Sequence, residues 1–206
     1  VGHLEQDDDA LALGKALTLH LANAYNADND EAHSGMRLRA LALGYDLCFS
    51  NATPAERALV RDEIILYIQK MVWSPGYQNF EVAPYLANHS AMFGAALGLA
   101  GIALQEETAS AYLLDDALAM ADRIVDNLLH HQFDPNGAYN EGVFYAAWTL
   151  KQLVYYFDAR ERFDGRAYAD NPQFEAIESW FAYELSPAGG GRSFNLNDSP
   201  MLSAPM

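Results

Sequence analysis

An all-α fold is predicted by three observations. Apolar residues recur at helical spacing along most of the chain, while strand-like alternation is scarce. Helix-start signals precede several of the periodic stretches, and one apolar stretch punctuated by glycines has the character of a buried central helix. The 206 residues suit one ordinary domain or a generous part of one. With 51% hydrophobic residues, the chain can build a real core.

Seven helices are expected, at about 8–26, 34–49, 54–73, 86–105, 111–131, 142–160 and 172–185. The first opens after Asp7, Asp8 and Asp9, which cap it and complement the positive end of its dipole. The second carries His33 and Arg37 at its start. The third begins at Thr53-Pro54-Ala55-Glu56, where Thr caps, Pro fits the first turn and Glu reaches back in a capping box. The fourth is apolar nearly all round and contains Gly94, Gly98 and Gly101, so it should be buried with other backbones close to it. Asp134-Pro135-Asn136-Gly137 forms a turn between the fifth and sixth helices. Asn171-Pro172 opens the seventh. The domain is read as residues 1–185. Residues 186–206, with Pro187, Gly189 to Gly191, Ser193, Asn195, Asn197 and Pro200, read as a linker or an approach to a further domain.

Short connections make neighbouring helices antiparallel. The second, fourth and sixth are then mutually parallel and form an inner layer, with the others outside. A curved double layer of antiparallel helical hairpins, an incomplete α/α toroid, satisfies this pattern. It also places Asn88 and His89, at the start of the fourth helix, at the same end as Tyr145, near the start of the sixth. Adjacent helix axes lie about 8–10 Å apart, so the three side chains can converge on one small molecule. The loops 74–85 and 132–141 emerge on that face. Arg37, Gln78, Asn79, Tyr85, Glu141 and Trp148 are candidate substrate-binding residues of the surrounding groove.

Composition excludes several functions. The formal net charge is −16, which disfavours nucleic-acid binding, since phosphates require clustered Lys and Arg. The same balance weighs against a densely sulfated polymer unless a local basic groove overrides it. Cys48 is the sole cysteine, so no intrachain disulfide forms. No membrane span or signal peptide is visible, although trimming before Val1 would remove an export signal. No metal or other cofactor is expected. His130 and His131 diverge as helical neighbours, and the Asp134 turn lacks calcium-loop spacing. Asp115-Asp116 falls on an outer helix.

An amide, an imidazole and a phenol together suit β-elimination on a uronic acid. The C5 proton is α to a carboxylate and weakly acidic, and its removal builds charge on that carboxylate. Donors placed there in advance stabilise the enolate-like state. Asn88 at a helix start supplies such a donor in a favourable field. His89 donates to the carboxylate or accepts the C5 proton. Tyr145 protonates the departing glycosidic oxygen or, with a depressed pKa, acts as base. Each also has a plain structural role open to it: Asn88 as a helix cap, His89 as a core histidine, Tyr145 as an interface aromatic.

The segment Val82-Ala83-Pro84-Tyr85-Leu86-Ala87-Asn88-His89-Ser90 resembles the Asn-His segment of heparinase II/III-like polysaccharide lyases. Asn140-Glu141-Gly142-Val143-Phe144-Tyr145 resembles the segment carrying their catalytic tyrosine. Arg39 to Asp46 is similar to the Arg…Tyr-Asp helix of that toroid, and Phe194 to Ser199 to the segment leading out of it. The resemblance implies a lyase acting on an acidic polysaccharide such as alginate or a glycosaminoglycan, in the periplasm or outside the cell. It assigns carboxylate neutralisation to Asn88, neutralisation or base to His89, and acid or acid/base to Tyr145. It also implies a following β-sandwich domain that this chain does not include. Met92 stands where some relatives carry an acidic residue. Two rival functions are an α/α-barrel glycoside hydrolase, which needs two carboxylates across the cleft with Glu141 as one, and a noncatalytic helical domain binding glycans or a partner protein.

Overall fold

The computed structural model describes residues 8–24, 31–73, 87–105, 107, 111–186 and 192–193. Among them are seven α-helices: α1 (Asp8–Asn23), α2 (Glu31–Cys48), α3 (Pro54–Trp73), α4 (Ala87–Ala103), α5 (Ala111–Gln132), α6 (Gly142–Asp164) and α7 (Gln173–Glu184). Short 3-10 turns follow α2 (Phe49–Asn51) and α6 (Tyr168–Asp170).

The helix boundaries have local causes. The capping box at α3 is present in both directions. The Thr53 N–H donates to Glu56 Oε2 at 2.7 Å and the Glu56 N–H to Thr53 Oγ1 at 3.3 Å. α6 runs four residues beyond its expected end and stops at Gly165, whose φ of 81° and N–H bond to the Glu161 carbonyl form a left-handed cap. Asn171 Oδ1 accepts the Gln173 N–H at 3.0 Å, so α7 begins just after Pro172. Part of the segment expected to be a linker carries a short ladder, with Leu185 opposite Ser193 and Ser186 opposite Arg192 in antiparallel register.

α4 is the hub. Residues 90–101 are all buried, and the helix packs against α2, α5 and α6. Close approaches reveal the directions. A Cβ at Gly94 would press on Ile124 and Val125, and one at Gly101 would meet Leu114 and Leu118; α4 and α5 are therefore antiparallel. Asn88 bonds Glu141 at one end, and Gly98 lies under the Tyr156 ring farther along, so α4 and α6 run the same way. Gly35 faces Met92 near the starts of α2 and α4, while Leu47 and Ile102 near their ends line one groove; these too are parallel. α1 opposes α2, with Gly14 beside Cys48 and Gly44 against Thr18. Among these five helices the direction alternates as expected. α2, α4 and α6 make one row of neighbours, and α1, α3 and α5 another.

Polar ties lock the rows. Asp122 on α5 accepts from the Tyr156 hydroxyl, from Tyr168 at 2.9 Å, from Arg160 at 2.9 Å and from Arg166 at 2.8 Å. Burial is the main reason the Tyr156 and Tyr168 hydroxyls hold their protons far above the ordinary tyrosine range, and their bonds to Asp122 add to it. On α2, Arg39 donates to the buried Gln152 of α6, across the face of α4.

Candidate functional site

The site begins with the tight connection from α5 to α6. Asp134 Oδ1 accepts the N–H groups of Asn136 at 2.8 Å and Ala138 at 2.9 Å, closing the turn over Gly137. Gly137 has φ of 85° and the backbone of Ala176 presses against it, so both conformation and space demand glycine there. Phe133 and Tyr139 pair as an isolated antiparallel bridge, with ring centroids 4.7 Å apart. The chain then reverses at Gly142, where φ is 82° and the N–H bonds the Tyr139 carbonyl at 2.9 Å. That reversal leaves Glu141 at the mouth of α6, turned to the start of α4.

Glu141 meets Asn88 there. Its Oε1 and Oε2 accept from Asn88 Nδ2 at 3.0 and 3.1 Å, and Oε2 also accepts the Asn88 backbone N–H at 3.1 Å. The first N–H groups of a helix have no intrahelical acceptor, and here a carboxylate 53 positions away satisfies one of them. The negative charge also suits the positive end of the α4 dipole. Behind Glu141 lies the buried Tyr139. Burial holds its hydroxyl protonated well above the ordinary range, and the negative charge of Glu141 adds to it. Thr149, buried on α6, donates to the same hydroxyl at 2.9 Å.

Tyr145 is half-buried in the first turn of α6, packed on the core and edge-on to Phe144 at 5.2 Å. It follows Glu141 by four residues, and the half-buried Trp148 follows it by three, so the three share one face of α6. His89 is exposed at the start of α4, beside Asn88. Asn88, His89, Glu141, Tyr145 and Trp148 thus all lie at the end of the fold where α4 and α6 begin.

Arg37 is directed to the end of α1, where its Nη2 donates to the carbonyls of Leu21 and Ala24 and pairs with Glu63 at 3.3 Å. Its side chain is only 10% exposed. The negative end of a helix and a carboxylate within reach hold it as a structural tie. Gln78, Asn79 and Tyr85 lie outside the described residues. Met92 is buried against Gly35, so an acidic side chain there would enter the α2–α4 interface. A groove of about 660 Å³, lined by Leu47, Ile102, Tyr155 and Phe163 among others, follows the second halves of α2, α4 and α6, toward the end opposite Asn88.

The residues not foreseen are Tyr139 and Thr149. A threonine buried in a helix demands a partner, which was a usable signal, but nothing in the sequence identified the partner as Tyr139. Among the described residues no three His, Cys, Asp or Glu side chains are gathered to hold a metal ion, and no helix is long and apolar enough to cross a membrane. No protein-family model matches the chain, and no curated protein matches it.

Proposed function

We propose that the chain is the α/α-toroid part of a polysaccharide lyase, cleaving a uronic-acid-containing acidic polysaccharide by β-elimination and leaving 4,5-unsaturated uronate ends. The observation that carries this reading is the Asn88–Glu141 junction. It joins the starts of α4 and α6, and so puts an amide, an exposed imidazole and a phenol at one end of two parallel helices. Two antiparallel-hairpin rows supply the kind of scaffold from which a toroid is built.

In this mechanism the second N–H of Asn88 Nδ2 faces the substrate carboxylate and stabilises charge as the C5 proton leaves. His89 is free of the core and stands beside it as the second carboxylate donor or the base. Tyr145 transfers a proton to the departing glycosidic oxygen. No cofactor takes part. A following β-sandwich domain completes the groove, and the polymeric substrate places the enzyme in the periplasm or outside the cell. The hydrolase reading is disfavoured because Glu141, its candidate carboxylate, is engaged by the backbone and side chain of Asn88.

The test is incubation with alginate and with heparan sulfate while following ultraviolet absorbance and reducing ends. Elimination raises both. New reducing ends without absorbance would replace this reading with hydrolysis, and binding without cleavage would replace it with a glycan-binding domain.

A further inference from the structure

We propose that Glu141 is a positioning residue that fixes which end of the Asn88 amide faces the substrate. The inference rests on the lyase reading of this site and adds a participant to it. The two ends of an asparagine amide are nearly the same size, so sterics alone do not choose between them; hydrogen bonding does. An ionised carboxylate only accepts. With both Glu141 oxygens at 3.0 and 3.1 Å from Nδ2, the nitrogen end is held toward Glu141. One of its two hydrogens serves that contact and the other is left for an incoming carboxylate. A flipped amide would set Oδ1 against Glu141 and against the substrate, two repulsions at once.

Glu141 is itself held from two sides. The Asn88 backbone N–H fixes Oε2 at 3.1 Å. From the core side, the buried Tyr139 stands two residues before Glu141 in the same tight connection, its hydroxyl held by Thr149 at 2.9 Å. The short connection, anchored by the Thr149–Tyr139 bond and by the reversal at Gly142, therefore carries the rigidity of α6 through Glu141 to one amide on α4. This is the support that a reacting group needs to stay within a few tenths of an ångström of its working geometry.

Glu141→Gln tests the idea. Glutamine keeps the volume and one acceptor but adds a donor, which lets Asn88 pair through either end. The expected result is a fall in kcat of about 10- to 100-fold on alginate or heparan sulfate, the cost of one misdirected charge-assisted bond, with KM nearly unchanged and the melting temperature close to wild type. A clamp without a positioning role would instead lower the melting temperature and leave kcat of the folded protein intact; that result overturns the proposal. The exchange Asn88→Asp with Glu141→Gln restores a donor–acceptor pair but presents a carboxylate to the substrate, so turnover should stay lost; recovered turnover would overturn it as well. A readout independent of activity is the pair of Asn88 side-chain amide proton resonances in the wild-type chain. One should be shifted downfield and slow to exchange, and equivalent behaviour of the two refutes the pinning. If the wild-type chain cleaves neither polymer, the lyase reading fails, and these resonances alone decide whether Glu141 orients Asn88.

Discussion

Replacing Gly98 by alanine tests the packing that sets α4 against α6. In an ordinary helix interior, Gly→Ala is stabilising by about 1 kcal/mol, because alanine loses less backbone entropy. Here the sign should reverse. A Cβ at residue 98 would fall inside the van der Waals envelope of the Tyr156 ring. Tyr156 is fully buried, and its hydroxyl is tied to Asp122, so the ring cannot swing away without breaking that bond. Overpacking of this kind costs about 1–3 kcal/mol, and a tethered ring argues for the upper figure. Subtracting the propensity gain leaves a net loss of about 2 kcal/mol, or roughly 4–8 °C in melting temperature for a chain of this size. Thermal and urea unfolding followed by circular dichroism measure it. Gly101→Ala is the internal comparison, since its Cβ would find its nearest neighbour, the Leu114 carbonyl oxygen, at 3.4 Å; that variant should be neutral or up to about 1 kcal/mol more stable. A Gly98→Ala protein as stable as wild type or more so would refute the packing argument.

Three other predictions concern the polar ties. Asp122→Asn should destabilise by about 3 kcal/mol, the lower part of the range for a broken buried ion pair, because Arg160 and Arg166 keep Asp164 and Asp126 as partners; chemical denaturation checks it. Arg37→Ala should cost about 2–3 kcal/mol through the lost bonds to the end of α1 and leave uronate binding unchanged; weakened binding with full stability would return Arg37 to the groove. Alkaline stability follows from Tyr45, Tyr139, Tyr156 and Tyr168, whose pKa values are raised mainly by burial. Above about pH 10, the ordinary tyrosine value, the unfolded chain releases these protons while the folded chain retains them. Stability is therefore complete below that pH and falls as pH rises beyond it. A tyrosinate absorbance titration should show these four ionising only with unfolding.

Helices were legible in the sequence because their causes are local. The capping box at Thr53, the turn at Asp134 and the apolar run around Gly94 and Gly98 each depend on residues a few positions apart. Alternating direction then followed from short connections, and with it the common end shared by Asn88 and Tyr145. The side-chain contacts that the sequence does not announce depend on distant partners. Arg37 near a helix start read as a groove residue, yet its guanidinium answers carbonyls at the end of α1. Glu141 read as a substrate contact, while the structure gives its carboxylate to Asn88. Tyr139 and Thr149 were passed over because their polar atoms acquire meaning only once α6 is docked. The end of α6 was missed for a simpler reason: Gly165 is the cap, and periodicity weakens before it.

The central claim is elimination by the constellation at the starts of α4 and α6, and the most direct measurement is ultraviolet absorbance on alginate and heparan sulfate with wild type and Tyr145→Phe side by side. The phenylalanine keeps the ring that packs on the core and removes only the hydroxyl. The account predicts growth of unsaturated uronate with wild type and none with Tyr145→Phe at an unchanged melting temperature. Undiminished growth with Tyr145→Phe, or none with wild type on either polymer, would contradict it.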